Sequence, residues 1–452
     1  VEKGEAVMDR AVKDRIAANP SLGELTAVFA RIGVLSFGGP AGQIGLMHRM
    51  LVEERRWLSE GRFLHALNYC MLLPGPEAQQ LATYIGWLMF GVRGGMIAGL
   101  LFVLPGLAVI IALSAAYALY QDTSWLTGLF FGLKAAVLAI VVEAVIRLSR
   151  KTLKSRFLVG IAAAAFIALF FFSLPFPLVV LAAGLAGFIA ARRGGQSANT
   201  DSAAMELPKR PTPLGAVATL VLWIAVWQFP LLLLWVFSAP EGLTVMFTFF
   251  SKMAMVTFGG AYAVLAYVAQ VAVENYGWLK PGEMLDGLAL AETTPGPLVL
   301  VLSFVGFLVG FREAAGLGPV TGGVIGALLV AWATFVPSFI WIFAGAPYIE
   351  RLRGNPVLSA ALSAITAAVV GVILNLAIWF GLHVLFREVE QISIWPAVGL
   401  KLFWPVWTTL DPFAFLLFAV SAFLLFRMKI GMVPVLLVSA VVGLAVRFLV
   451  AA

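Results

Sequence analysis

Two carboxylates, Glu77 and Glu292, lie in apolar surroundings, each beside a Pro-Gly-Pro tripeptide. Pro74-Gly75-Pro76 precedes the first, and Pro295-Gly296-Pro297 follows the second. A carboxylate at membrane depth is costly to ionise and usually functional, so both are candidates to carry a coupling proton. Glu77 has a plainer role open to it, since the first turn of a helix favours negative charge. Glu292 has no such excuse and is the better candidate. Nearby stand groups able to donate hydrogen bonds to the oxygens of an anion: Ser36, Gln79, Gln80, Thr257, Thr293 and Thr294. Helix packing in a membrane would use the same residue types. Other chemistry is weakly represented. His48, His65 and His383 are the only histidines and lack zinc-protease spacing, and there is no phosphate-binding loop of the ATPase kind. Cys70 is the single cysteine, which excludes an intrachain disulfide and a cysteine-rich metal site.

The backbone around these groups is broken in a repeated way. Phe37-Gly38-Gly39-Pro40 interrupts an apolar helix. Glycine exposes backbone, and proline suits the first turn of a new helix. A half-helix therefore starts at Pro40, and another at Glu77 after Pro74-Gly75-Pro76. Unpaired amides at membrane depth are tolerated only inside protein or beside a wet cavity. Helix N-termini carry partial positive charge and aim N–H donors outward, which suits an anion. Gly and Pro can also serve merely as kinks or close-packing points. Their recurrence in both halves of the chain favours a site.

The elements that hold these breaks are membrane helices. The chain has 452 residues, is 62% hydrophobic and only 12% charged, and has a mean hydropathy of +0.99. Met96 to Tyr120, Trp125 to Leu148, Phe157 to Leu174 and Pro356 to Phe386 exceed or approach the roughly 20 residues a crossing needs. The net charge of +7 reads as basic cytoplasmic loops rather than a nucleic-acid surface. The polar first twenty residues, with no small-residue cleavage site after the first apolar run, argue against a cleaved signal peptide.

An internal duplication organises the whole. Phe37-Gly38-Gly39 returns as Phe258-Gly259-Gly260, Trp57-Leu58 as Trp278-Leu279, and Pro74-Gly75-Pro76 as Pro295-Gly296-Pro297, all at a shift of 221 residues. Further on the shift is 232, carrying Pro105 onto Pro337 and Ala135-Ala136-Val137 onto Ala367-Ala368-Val369. The organisation expected is a cytoplasmic segment 1–23, a first repeat 24–191, a linker loop with a connecting transmembrane helix 192–244, and a second repeat 245–452. Arg49, Arg55, Arg56 and Arg62 crowd one loop of the first half, whereas its counterpart holds Glu274, Lys280 and Glu283 and no Arg. Arg147 to Arg156, Arg192 to Arg210, Arg351 with Arg353, and Arg427 with Lys429 mark further inside loops. Placing these inside orients the halves oppositely. The fold class expected is thus an all-α integral membrane protein, with two inverted-topology repeats, broken or re-entrant helices and one linking transmembrane helix. Glu24 to His48, and the hairpin Phe63 to Phe90, then each start and finish on one side.

These motifs resemble the chromate ion transporter family. The resemblance rests on Ser36-Phe37-Gly38-Gly39-Pro40, Trp57-Leu58 and Leu73-Pro74-Gly75-Pro76-Glu77-Ala78-Gln79-Gln80-Leu81. The second half adds Thr257-Phe258-Gly259-Gly260, Thr293-Thr294-Pro295-Gly296-Pro297 and Phe304-Val305-Gly306-Phe307. It covers Glu24 to Phe380 and departs at one point, Pro40 becoming Ala261 in the second half. The resemblance implies a two-half transporter of the cytoplasmic membrane that exports chromate, with sulfate as a related anion, coupled to the membrane energy gradient. The partners expected are the oxyanion and the lipid bilayer; a homodimer is left open, and no cofactor is called for. Three residues fall to electrostatics. Arg31 and Lys252 stand at matching places seven residues before the Gly pairs, where they either draw anions inward or snorkel to headgroups. Lys134 either neutralises a dianion or bonds between helices; its spacing from Glu143 does not favour pairing within one helix face. A passive anion channel, a sulfate transporter and, more remotely, a membrane-embedded enzyme are the alternatives.

Overall fold

The computed structural model describes residues 20–37, 39–71, 73–121, 123–194, 213–258, 261–313, 316, 318–345, 356–395 and 400–451. Gly38, Gly259, Gly260, Arg351, Arg353 and most of the linker lie outside the described residues, as does nearly all of the charged first segment. The first half runs through α1 (Leu22–Leu35), α2 (Gly39–His48), α3 (Glu60–Cys70), α4 (Glu77–Tyr120), α5 (Ser124–Thr152), α6 (Arg156–Phe170) and α7 (Phe176–Gly194). After α8 (Pro213–Val236) come α9 (Glu241–Val256), α10 (Ala261–Gln270), α11 (Pro281–Thr293), α12 (Val301–Glu313), α13 (Pro319–Ile340) and α14 (Pro356–Leu385). The chain ends with α15 (Pro412–Phe426) and α16 (Met432–Ala451).

Seven of these runs are long and apolar enough to cross a membrane. Leu181, Leu214, Trp235 and Val441 are largely exposed along them. In water such a surface would drive aggregation; against lipid tails it is the required complement. The chain is a multi-pass, all-α integral membrane protein. Some helix starts carry side-chain caps. Ser21 accepts the Glu24 amide at 3.2 Å while its own N–H reaches the Glu24 carboxylate at 2.7 Å. Asp411 accepts the amides of Phe413 and Ala414 at 3.0 and 3.1 Å.

The helices at the breaks are short. α1 has 14 residues, α2 and α10 have 10, and α3 has 11. At about 1.5 Å per residue these reach about 15–21 Å, well under the ~30 Å apolar core of a bilayer. The 44-residue run of α4 would reach about 66 Å if straight. It reverses instead at Phe90–Gly91, where Gly91 takes φ +59°. Gly86 then packs on Gly94, and Thr83 on Gly99. Its first arm, with α3, forms the hairpin expected from Phe63 to Phe90.

The repeat is visible in backbone detail. A widened helical turn follows α2 at Arg49–Glu54 and α10 at Val271–Asn275. Left-handed φ recurs at Arg56 and Gly277. The Trp57 and Trp278 amides donate to the Leu51 and Ala272 carbonyls, both at 2.8 Å. It also continues beyond the region legible by motif. α6 and α7 correspond to α15 and α16 at a shift of 256, from Arg156 to Pro412 and from Phe176 to Met432. Ser173 and Lys429, both at positive φ, keep that shift. The step from 232 to 256 falls where the structure departs from a purely helical reading. An antiparallel hairpin, β1 (Val389–Trp395) with β2 (Leu400–Pro405), occupies it. Arg387, Glu388 and Glu390 end the apolar run there, so the hairpin belongs at a membrane face, where its backbone can be hydrated.

The terminal pairs are exchanged between halves. α7 packs along α14, with Gly187 against Ala360 and Ala364, and α16 packs along α5, with Gly443 against Gly128 and Gly132. A Cβ at Gly132 would overlap the Ser439 carbonyl. Forcing atoms into such a contact costs about 1–3 kcal/mol. Gly132→Ala is therefore expected to lower the unfolding midpoint in detergent by several degrees. Gly160→Ala, with open space around it, should leave the midpoint unchanged or slightly raised.

Candidate functional site

The breaks of the two halves meet, and each is held by the other half. α1 ends at Ser36 and α9 at Thr257. The Gly75 amide donates to the Thr257 carbonyl and the Gly296 amide to the Ser36 carbonyl, both at 2.8 Å. Such a reciprocal exchange is the mark of two units related by a two-fold axis. Both glycines sit where a side chain is disfavoured, at φ +118° and +90°, and Gly39 takes +65°. The Pro-Gly-Pro turns are thus the points at which each half touches the end of the other's first helix.

Several hydroxyls read as anion donors are turned on their own helices. Ser36 donates to the Ile32 carbonyl at 2.7 Å, Thr257 to Met253 at 2.6 Å, and Thr294 and Thr293 to Leu290 at 2.6 and 2.9 Å. The Gln80 amide donates back to the Pro74 carbonyl at 2.7 Å. Gln79 is different. It is fully buried, and neither its nitrogen nor its oxygen has a protein partner. An unsatisfied buried amide is expensive, so Gln79 stands apart from the other groups read as anion donors. The structure adds residues the sequence reading missed. Gln43 donates to the Gly296 carbonyl at 2.5 Å. Thr334 and Ser338 on α13 are buried with unpartnered hydroxyl oxygens; a Cβ at Gly75 would lie 3.5 Å from Ser338 Oγ, and Thr334 shares a narrow cavity with Gly75 and Thr257. Two hydroxyls four residues apart in an apolar helix share one face, a signal that could have found them.

The carboxylates differ as expected from position. Glu77 opens the first arm of α4 and is half-buried. Glu292 is buried near the end of α11; Tyr262 donates to its Oε1 at 2.7 Å, while Oε2 has no partner. Arg31 and Lys252 lie on exposed faces of α1 and α9, and Phe37 is also exposed. Lys134 reaches Asp286 on α11, Nζ to Oδ1 at 3.0 Å, and Tyr117 donates to Asp286 Oδ2 at 2.9 Å.

Openings lie at both ends of α14. The larger, of about 560 Å³, lies where α5 ends and α14 begins; Lys151 and Lys154 line it with Ser359, Ser363 and Thr366, and Phe258 of the α9 break reaches it. The other, of about 450 Å³, is at the far end of α14, beside His383, Phe386, Pro281 and Gly282. At about 1.5 Å per residue, Ser359 and His383 stand about 36 Å apart along one helix, roughly a membrane's thickness.

Comparison with known proteins agrees with this architecture. The sequence model of a family described as "Chromate transporter" matches residues 23–188 and 244–444, leaving out the linker and α8. The chain is 30% identical over 378 residues to a probable chromate transport protein of Synechococcus elongatus, covering 80% of this chain and 85% of that one. It is 31% identical to a chromate transport protein of Cupriavidus metallidurans over 78% of this chain and 81% of that one. A chromate transport protein of Pseudomonas aeruginosa is 34% identical, over 77% and 79% of the two chains. No solved structure matches significantly. With both halves matched, and with relatives at 30% identity or more over about four-fifths of its length, the chain belongs to the chromate transporter family.

Proposed function

We propose that the chain is a secondary active transporter that exports chromate, or a sulfate-like tetrahedral dianion, across the cytoplasmic membrane. It works by alternating access between inverted halves and is driven by the proton motive force. The observation that carries this reading is the exchange of amide bonds, Gly75 to Thr257 and Gly296 to Ser36, which ties the two broken regions together, with the buried, unpartnered Gln79 in the first helical turn after Pro74-Gly75-Pro76. Helix ends and one neutral amide stabilise a dianion without a permanently buried cation. The inverted arrangement is supported by the matched helices α5 and α14, the end of one and the start of the other lining the same opening. Export is supported by the basic loops, whose charge favours an inside position for this Lys-lined opening. Glu292, buried and bonded only by Tyr262, is the proposed proton carrier.

The test is flux through the purified chain in proteoliposomes. Labelled chromate or sulfate should accumulate against its gradient when a proton gradient is imposed, and a protonophore should abolish the accumulation. Flux that runs only downhill and ignores the proton gradient would make the protein an anion channel. Recovery of chemically altered anion would instead make it an enzyme.

A further inference from the structure

The two openings at the ends of α14 are related by the repeat but differ in charge: lysines are the only charged residues lining the first, whereas Arg387 and Glu388 balance each other in the lining of the second. α3 carries Arg62 and His65 at the places where α11 carries Glu283 and Asp286, at the repeat's shift of 221. At the 232 shift, Lys134 on α5 stands opposite Thr366 on α14. No carboxylate lines the Lys151–Lys154 opening, and neither lysine forms an ion pair among the described residues. At the other end each inner cation is matched by an acid. Arg312 holds Glu283 through two nitrogens, at 2.6 and 3.2 Å. Lys134 Nζ is 3.0 Å from Asp286, whose second oxygen takes the Tyr117 hydroxyl. Lys134 Nζ also lies against Gly282, which lines that opening. About a quarter of the Lys134 side chain remains exposed, against 8% for Asp286.

A cation at this depth with no counter-charge would hold a departing dianion, because a path that conducts must bind weakly enough to let go. We propose that Asp286 is the counter-charge that withholds Lys134 from the cargo, so that the repeat's two matched openings load oxyanion at the Lys151 end and release it at the Lys134 end. Asp286 acts through Lys134 and is a positioning residue. The proposal rests on the oxyanion-transport reading above and adds an asymmetry that reading does not require.

The experiment is sulfate–sulfate and chromate–chromate exchange in sealed vesicles, with half-saturation measured at one face while the other is saturated. The Lys151 face is marked by an impermeant thiol reagent on Arg150→Cys, exposed and outside the opening's lining, against a background in which Cys70 is buried. Asp286→Asn frees Lys134, and should lower the half-saturation concentration at the far face at least tenfold while leaving the Lys151 face within twofold. Lys134→Gln leaves the acid uncompensated, and should raise the far-face value several-fold. Opposite shifts confined to one face are beyond a packing role. Equal shifts at both faces, shifts of one sign in both variants, or no shift would overturn the proposal. If Asp286→Asn fails to fold, the Lys134→Gln result decides alone. Absence of saturable exchange in the unsubstituted protein is a separate failure: it removes the oxyanion reading itself, and this proposal with it.

Discussion

Alanine at Gly75 or at Gly296 is expected to abolish oxyanion flux while the protein is still made and folded. Both glycines hold positive φ, +118° and +90°, and an L residue there carries about 1–3 kcal/mol of strain. At Gly75 the new Cβ would also lie 2.8 Å from Gln80 Nε2. That nitrogen caps the Pro74 carbonyl, so the added methyl displaces a donor the turn uses. If the turn shifts, the amide bond to the other half goes with it, and a lost bond adds about 0.5–1.5 kcal/mol. Together these come to about 2–4 kcal/mol, or about 30- to 1000-fold if borne by the anion-binding state. Gly296 meets milder neighbours, Leu300 at 3.2 Å and the Phe102 carbonyl at 3.4 Å, so its loss is chiefly the backbone's. Flux in proteoliposomes, beside detergent-extracted yield and unfolding midpoint, checks the expectation. Gly160→Ala is the neutral control. If both variants lose their fold instead of their flux, the glycines are packing points and the site reading fails.

Much of this arrangement is legible in the sequence, and the part that is not has a physical cause. Phe37-Gly38-Gly39 and Pro74-Gly75-Pro76 repeat at a fixed shift because a broken backbone tolerates few residue types. The terminal helices repeat as well, yet α6 and α15 share little beyond apolar character. Lipid asks only for hydrophobicity, so lipid-facing sequence drifts while geometry persists. Gly187 and Gly443 survive because a second helix backbone crosses there. The hairpin at Val389–Pro405 interrupts the repeat with no motif to announce it. Donor assignment fails more instructively. Ser36 and Thr257 read as anion donors, but a hydroxyl in an apolar helix bonds the carbonyl four residues back, and both do. The amide at Gln79, with no such local outlet, keeps both its polar atoms unpartnered. Lys134 and Asp286 lie in different halves, and no periodicity within one helix could pair them.

Glu292→Gln is expected to uncouple transport from the proton gradient while sparing exchange. The side chain is buried, and a charged carboxylate at membrane depth costs about 2.5–3.5 kcal/mol on insertion scales. That cost is offset in part by the Tyr262 hydroxyl on one oxygen and by the positive charge of Arg147, which Glu143 opposes. A group so placed is easily neutralised by a proton and easily charged again once the site rehydrates, which is what a carrier must do in each cycle. Glutamine keeps the shape and the acceptor oxygen for Tyr262, so the fold and the helix breaks should stand. It cannot exchange a proton. Gradient-driven accumulation should therefore fall at least about tenfold, equivalent to about 1.4 kcal/mol of lost driving force, with anion–anion exchange within twofold of the unsubstituted protein. Glu77→Gln should behave differently. Glu77 heads a helix, where the carboxylate interacts with the N-terminal amides by about 0.3–1 kcal/mol, so its replacement should change anion affinity rather than coupling. Accumulation that still follows the proton gradient in Glu292→Gln would take the proton away from this residue, leaving Glu77, or a coupling ion other than the proton, to drive the cycle.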